Sequence, residues 1–231
     1  MLYNVVVNEW DGVTEVTYVP TTLGNVLLAL IIIAFLAAAL FLAGKKSKNP
    51  KGSRTKLTVK QLVFCAMSLA LGTALSNLKL FDMPWGGSVT LLSMLVICLP
   101  GYWFGLGAGL LTGVAYGFLQ LLIDPYVLFP MQLLIDYPLA FGALGLSGLF
   151  SDSKYGLLKG YLLGVVGRWV FSVISGVAFF AAYAWEGWAP LPYSMAYNGS
   201  YIFAEAAITL VLLAIPAVSK AFARVKQLAL E

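Results

Sequence analysis

The chain has 231 residues, of which 61% are hydrophobic and only 10% are charged, and its mean hydropathy is +0.89. Soluble domains carry about 25% charged residues, so this composition indicates an integral membrane protein. The absence of histidine excludes imidazole chemistry and argues against zinc sites and histidine-based triads. The pI near 9.0 comes from linker and tail lysines, which suit an anionic membrane surface better than nucleic acid.

Apolar runs long enough to cross a bilayer as helices recur along the chain, and they lack the alternation of barrel strands. We therefore predict an all-α integral membrane protein with seven spans. Cys65 and Cys98 lie singly in such runs, which is typical of buried thiols. The predicted spans are residues 23–43, 59–78, 88–104, 105–123, 128–150, 160–184 and 197–219.

The distribution of basic residues predicts the orientation in the membrane. Positions 45, 46, 48, 51, 54, 56 and 60 carry lysine or arginine, with no acid between them. The positive-inside rule places this linker in the cytoplasm. Alternate crossing then puts 12 of the 14 cationic residues on the cytoplasmic side, with the amino terminus outside and the carboxyl terminus inside.

The amino-terminal part of the chain is predicted to be an appendage to a six-helix body. Its first segment has β-rich flanks around Asp11 and Gly12, which predicts a hairpin. The first span follows three acids and no base, so we interpret it as a retained helix and not as a signal peptide. The predicted divisions are an extracellular segment 1–22, an additional transmembrane helix 23–43, a basic cytoplasmic linker 44–57, a six-helix substrate-binding domain 58–220 and a cytoplasmic tail 221–231.

The fifth span carries a single acid, Asp136, followed at once by Tyr137. A carboxylate in hydrocarbon costs roughly 2.5–3.5 kcal/mol on insertion scales, so its presence indicates a function. Gln132 lies one helical turn earlier on the same face. Asp136 either forms a structural hydrogen bond with a neighbouring helix or contacts a ligand, and we favour the contact with a ligand.

Aromatic and amide groups are expected at about the depth of this acid. Rings with one carboxylate suit a flat organic cation, although rings also gather at any membrane interface. The groups are Tyr116, Tyr126, Trp185, Trp188, Tyr193 and Asn198.

The last span carries a second acid, Glu205, on the face of Asn198. Arg168 on the preceding span is the expected partner, because either charge would be costly alone at that depth. We favour a structural ion pair, with a role in substrate or proton movement as the alternative.

Two stripes of small residues predict close helix contacts. Gly105, Gly109 and Gly113 are expected to pack within the bundle, whereas Ala66, Ala70 and Ala74 suit packing and an intermolecular contact about equally.

Five motifs, in order between about residues 58 and 220, together resemble the thiamine-specific substrate-binding (S) components of energy-coupling factor (ECF) transporters. They are LFDMPWGGSVTLLSM (80–94), GVAYG (113–117), DPY (124–126), PMQLLIDYPLAF (130–141) and YSMAYN (193–198). The resemblance implies a six-helix S component of the bacterial cytoplasmic membrane. Such a protein captures thiamine from outside, uses no cofactor, and associates with a membrane coupling subunit and two cytoplasmic ATPases.

The resemblance also implies roles for individual residues. Asp136 would meet the ligand, rings and amides would line its pocket, and Ala66, Ala70 and Ala74 would dock on the coupling subunit. Ser172 is a departure, because related sequences commonly have histidine there, and the additional first span is another. The implied substrate-binding set is Trp85, Tyr116, Tyr126, Gln132, Asp136, Tyr137, Ser172, Phe180, Tyr193 and Asn198.

Three alternatives remain at this point. The ligand could be a related vitamin or thiamine precursor, or the chain could be an autonomous ion-coupled carrier with Asp136 and Glu205 as proton sites. A membrane enzyme or scaffold is disfavoured, because no nucleophile–base pair is visible. The sequence has no phosphate-binding loop with lysine, so ATP hydrolysis is expected only in partner subunits.

Overall fold

The computed structural model describes residues 3–10, 13–24, 26–27, 30, 57–84 and 86–231. These residues form a helical bundle with two small β-hairpins, which confirms the predicted all-α membrane class. Within the described residues, five helices are long and apolar enough to cross a membrane, and a shorter apolar helix accompanies them. The predicted additional helix (23–43) and basic linker (44–57) lie almost wholly outside the described residues.

The amino-terminal hairpin is present. Strands β1 (Tyr3–Trp10) and β2 (Val13–Pro20) pair antiparallel, with Trp10 opposite Val13 at the closed end. The Asp11–Gly12 turn itself lies outside the described residues.

Helix α1 (Val59–Ser76) begins with a capping box. The Gln61 amide N–H donates to Thr58 Oγ1 (3.3 Å), and the Thr58 N–H donates to Gln61 Oε1 (3.0 Å), so two helix-end donors are satisfied. The inward face of α1 is narrow and small: Cys65, Ser68 and Gly72 are its buried residues.

The predicted span 88–104 is corrected by the structure. Strands β3 (Lys79–Asp82) and β4 (Ser88–Thr90) form a second hairpin, and helix α2 (Ser93–Phe104) begins only after it. At 1.5 Å rise per residue, α2 is about 18 Å long, shorter than the ~30 Å hydrocarbon layer.

Helix α3 (Leu106–Ile123) packs along the composite helix α4 (Pro130–Phe150). Glycines make this contact close: a Cβ on Gly113 would lie 2.6 Å from Phe141 O, and one on Gly117 would lie 2.4 Å from Tyr137 O. In the middle of α4, residues Ile135–Leu139 form a π-helical turn, in which the Ala140 N–H donates to Ile135 O.

The two last predicted spans also shift. Helix α5 (Gly156–Phe179) ends before residue 184, and helix α6 (Pro190–Ala214) begins before residue 197 and ends before 219. A separate helix, α7 (Pro216–Leu230), crosses the predicted boundary at 220. Proline explains both starts, because Pro190 and Pro216 occupy the first helical position, where no N–H is needed.

The core lies between α2, α4, α5 and α6, and its largest fully buried side chains include Met94, Ile97, Tyr161 and Ile202. Cys65 and Cys98 are buried free thiols, as predicted. Helix α7 packs across the carboxyl-terminal part of α2, where Ala229 joins a small apolar cluster with Leu99 and Trp103.

Candidate functional site

A cavity of about 410 Å³ opens at the end of the bundle that carries the β3–β4 turn. Its walls come from that turn, the α3–α4 loop, the first half of α4, the last turns of α5 with the segment after it, and the first half of α6. The volume lies within the range of small-molecule sites.

Asp136 lies in the cavity wall within the π-helical turn of α4. Its Oδ2 accepts a hydrogen bond from Gln132 Nε2 (2.9 Å). Pro138 follows within the same turn, and π-turns of this kind re-aim side chains and are frequent at functional sites. Ser175 also lines the cavity, and its buried hydroxyl lies beside the Asp136 carboxylate. The wall therefore presents a carboxylate with two polar neighbours, Gln132 and Ser175.

Gln132 organises the loop before α4 as well as holding Asp136. Its Oε1 accepts from the Leu128 N–H (2.8 Å), and its Nε2 also donates to Tyr126 O (2.7 Å). Since both ends of this buried amide are used within the protein, Gln132 acts mainly by positioning its neighbours.

Tyr137 also holds the α3–α4 loop in place. Its hydroxyl donates to Asp124 O (3.1 Å) and accepts from the Tyr126 N–H (2.8 Å). The Tyr126 ring then stacks on Phe180, with centroids 5.9 Å apart and planes inclined by 18°. Tyr183 lies next to Phe180 at 6.1 Å, so three rings form one aromatic wall of the cavity.

Helix α6 supplies a second aromatic wall, made by Tyr193, Tyr197 and Tyr201 at four-residue spacing. Asn198 lies among them: its Nδ2 donates to Ser172 O on α5 (3.3 Å), and its Oδ1 accepts from the Tyr201 hydroxyl (2.8 Å).

The close approach of α5 and α6 requires a glycine. A Cβ on Gly176 would lie 2.1 Å from Ser194 Oγ and 3.2 Å from Asn198 Nδ2. A side chain at this position would displace the Ser194 hydroxyl, which donates to Val173 O (3.0 Å), at the cavity wall.

The mouth of the cavity is charged. Lys79 Nζ lies 3.3 Å from an Asp82 oxygen and 3.6 Å from an Asp124 oxygen, and Asp124 lines the cavity. The hydrogen bond to Asp82 is the main cause that raises the pKa of Lys79 above its ordinary value, and Asp124 adds to it. Because these groups are exposed, each pair contributes little to stability.

Most of the residues predicted from the sequence meet at this cavity. Trp85 lies outside the described residues. The predicted residues in the wall are Tyr126, Gln132, Asp136, Tyr137, Ser172, Phe180, Tyr193 and Asn198.

The prediction for Tyr116 is wrong. Its side chain is 1% exposed, its hydroxyl donates to Gly72 O (3.3 Å), and its ring packs edge-on against Phe141 at 5.1 Å. The residue lies on the α3 face that meets α1, so it belongs to the core.

The predicted ion pair between Arg168 and Glu205 is also wrong, because the described residues contain no such pair. The Arg168 guanidinium lies over the Phe141 ring at 4.5 Å and lines the cavity. Glu205 is 2% exposed and accepts hydrogen bonds from Thr90, Ser93 and Met94 instead. Hydroxyl and amide donors therefore satisfy the Glu205 carboxylate, which was predicted to need Arg168.

Sequence reasoning missed several wall residues, and one periodic signal could have found some of them. Tyr193 was predicted, and stepping along α6 by one turn gives Tyr197 and Tyr201, which share its face. The missed wall residues are Pro84, Gly86, Gly87, Asp124, Arg168, Ser175, Gly176, Tyr183, Ser194, Tyr197 and Tyr201.

The two stripes of small residues differ in environment. Ala66, Ala70 and Ala74 are exposed on α1. On α3, Gly109 and Gly113 face α4 backbone, whereas a Cβ on Gly105 would meet nothing within 4 Å. The glycine contact therefore runs through residues 109, 113 and 117.

Comparison with known proteins identifies the family. The family model described as "Thiamine transporter protein" matches residues 62–224. The thiamine transporter ThiT of Bacillus subtilis is 36% identical over 149 residues, covering 57% of this chain and 77% of that protein. ThiT of Lacticaseibacillus paracasei is 29% identical over 121 residues, covering 45% of this chain and 60% of that protein.

A solved structure agrees with these matches. ThiT from Listeria monocytogenes superposes with a TM-score of 0.56 at 28% identity, covering 68% of this chain and 96% of that one. The family expected from the five motifs is confirmed, and this multi-pass membrane chain belongs to the thiamine transporter family.

Proposed function

We propose that the chain captures thiamine from outside the cell as the substrate-binding subunit of an ECF-type transporter. The observation that carries the proposal is the cavity itself, where Asp136 lies between two walls of aromatic rings. Thiamine joins a cationic thiazolium to a flat aminopyrimidine, so a carboxylate and rings match both parts.

The charges around the cavity agree with a cationic ligand. Asp136 forms no ion pair among the described residues, and Arg168 is drawn to the face of Phe141. A carboxylate without a cationic partner in a half-buried wall gains from a cationic ligand, because the ligand supplies the missing charge.

The outward-facing cavity is part of the proposal, as are the amino terminus outside and the carboxyl terminus in the cytoplasm. The basic linker and tail support this orientation by the positive-inside rule. In the fold, β2 contacts α5 and the turn Ala181–Tyr183 at the cavity end of the bundle. An external amino terminus and an external cavity are therefore consistent with one another.

Docking on a membrane coupling subunit is likewise proposed. The stripe of Ala66, Ala70 and Ala74 lies on the exposed face of α1, where small side chains allow another helix to approach closely. The chain has no phosphate-binding loop, so ATP hydrolysis would come from two partner ATPases.

The first prediction tests Asp136. In the full-length protein in detergent, Asp136→Asn should weaken thiamine binding at least tenfold, about 1.4 kcal/mol, since it removes charge and keeps shape. Tryptophan fluorescence is a suitable measurement, because the Trp185 ring lies 5.2 Å from Tyr193 in the cavity wall. Glu186→Gln is the matched control, an exposed acid outside the wall, and should bind as wild type does. Equal affinities in wild type and Asp136→Asn would contradict the proposal.

The second prediction concerns the energy source. Reconstituted alone in liposomes, with or without a proton gradient, the protein should bind thiamine and not accumulate it. Accumulation driven by the gradient would favour the ion-coupled carrier. The structure offers that carrier little support, because Glu205 lies outside the cavity and its carboxylate already accepts three hydrogen bonds.

A further inference from the structure

Glu205 is a buried carboxylate that the proposed binding site does not use. It is 2% exposed, lies in the middle of α6, and does not line the cavity. Its Oε2 accepts from Thr90 Oγ1 (2.6 Å), and its Oε1 accepts from Ser93 Oγ (3.1 Å) and the Met94 N–H (3.0 Å). Burying a carboxylate is costly, so three hydrogen bonds from one segment to Glu205 indicate a specific task.

One of these bonds, from the Met94 N–H, caps helix α2 from another part of the chain. The residue before the helix, Leu92, adopts a left-handed conformation (φ 62°) and offers no side-chain cap. Ser93 and Met94 are the first residues of α2, where amide N–H groups lack helical partners. The Glu205 carboxylate meets this end, and a negative charge there is favourable.

The face of α6 that carries Glu205 also contacts the β3–β4 turn, which borders the cavity. Four residues before Glu205, the Tyr201 ring lies so close to Gly87 that a Cβ there would be 2.8 Å from the ring. Four residues earlier again, the Tyr197 hydroxyl donates to Gly86 O (3.0 Å). One face of α6 thus contacts the segment 86–94 in order, from the cavity wall to the start of α2.

The glycines at the upper end of this segment form the turn between strands β3 and β4. Gly86 and Gly87 have positive φ angles of 92° and 85°, and beyond the pair of Asp82 and Ser88 the Met83 N–H donates to Gly87 O (3.0 Å). Both glycines and Pro84 line the cavity. A turn of this kind is held by its attachments, and Glu205 provides those at its lower end.

We propose that Glu205 is a positioning residue for ligand retention. Its carboxylate anchors the segment Thr90–Met94, and this anchor keeps Pro84, Gly86 and Gly87 against the cavity, so its loss speeds ligand release. The inference rests on the proposed capture of thiamine. Because Glu205 does not touch the cavity, the effect should fall on the dissociation rate and on the mobility of residues 79–94.

Three variants of the full-length protein in detergent test this role. Glu205→Met removes the acceptors and keeps the length, Glu205→Gln keeps an acceptor oxygen, and Thr209→Val is the control. Thr209 is fully buried one turn along the same helix, and within the described part of the chain its hydroxyl neighbours Tyr161 on α5 and forms no hydrogen bond with residues 90–94. Release of thiamine is measured by stopped-flow tryptophan fluorescence, and backbone mobility by hydrogen exchange without ligand.

Glu205→Met should release thiamine at least tenfold faster and raise amide exchange at least fivefold in residues 79–94. Exchange in α3 should stay unchanged, which a general loss of stability would not allow. Glu205→Gln should remain within threefold of wild type in both measurements, and Thr209→Val should match wild type. A release rate for Glu205→Met within threefold of wild type, or faster exchange throughout the bundle, would overturn the inference.

Two further outcomes are also decisive. Should Glu205→Met not yield folded protein, Thr90→Val removes the 2.6 Å bond to Glu205 together with the 2.7 Å hydrogen bond between Thr90 Oγ1 and Ser93 Oγ, and it should still raise release at least threefold; an unchanged rate would refute the anchor. Should wild type not bind thiamine, the proposed function fails, while hydrogen exchange without ligand still decides whether Glu205 anchors residues 79–94.

Discussion

The alanine stripe of α1 and the glycine stripe of α3 have the same four-residue spacing and opposite environments. Ala66, Ala70 and Ala74 are exposed on α1. Gly109 and Gly113 lie against the backbone of α4. The four-residue spacing of small residues therefore predicts that another helix can approach closely. Whether that helix belongs to the same chain depends on the fold.

The difference between glycine and alanine explains why the two stripes have different environments. The α3–α4 contact joins backbone to backbone, with a hypothetical Cβ on Gly109 only 2.5 Å from Gly145 O, so glycine alone fits. Alanine keeps a methyl group and leaves a shallow groove, which suits a contact that forms and separates in a membrane.

The largest effect is expected where the glycine contact is broken. Gly113→Leu would place a side chain where Phe141 O and Gly142 Cα leave no room, and backbone cannot move aside as a side chain can. We expect loss of folded protein, measured as the monodisperse fraction by size-exclusion chromatography in detergent. Gly107→Leu is the matched control on the same helix, because a Cβ there meets nothing within 4 Å, and it should fold. Equal yields of folded protein would show that the contact tolerates a side chain.

The next effect separates folding from transport. Ala70→Trp places a large ring on the exposed face of α1, so the protein should fold and bind thiamine in detergent with nearly unchanged affinity. Uptake by cells should be abolished, because the ring blocks close approach of a coupling subunit. Leu71→Trp, which alters an exposed neighbour off the stripe, should retain uptake. If Ala70→Trp lost binding as well as uptake, the stripe would serve packing within the protein.

The sequence predicted the residues of the cavity wall better than their contacts. Asp136, Tyr126 and Tyr193 were predicted to come together because they were expected at about the same depth, and all three line the cavity. The contacts of Glu205 depend on the β3–β4 hairpin and the late start of α2, and no local pattern revealed either.

The sequence also did not predict correctly which way every side chain faces around its helix. Tyr116 has the expected depth but faces α1, and the π-helical turn around Asp136 alters the spacing that periodicity assumes. Depth follows from position in an apolar run, whereas facing depends on neighbours distant in the sequence.

The smallest effect is expected at Gly105, the stripe member that makes no side-chain contact. It joins α2 to α3 with φ 91° and ψ −176°, a conformation essentially restricted to glycine, and a Cβ would meet only open space. Gly105→Ala should therefore cost about 1–3 kcal/mol in backbone strain and lower the melting temperature by a few degrees, while thiamine affinity stays unchanged. Gly107→Ala adds the same methyl group nearby on α3 without positive φ, so it should melt no lower than wild type. Equal melting temperatures for the two variants would show that the junction relaxes, and a fall in thiamine affinity at Gly105 would mean that the strain reaches the cavity.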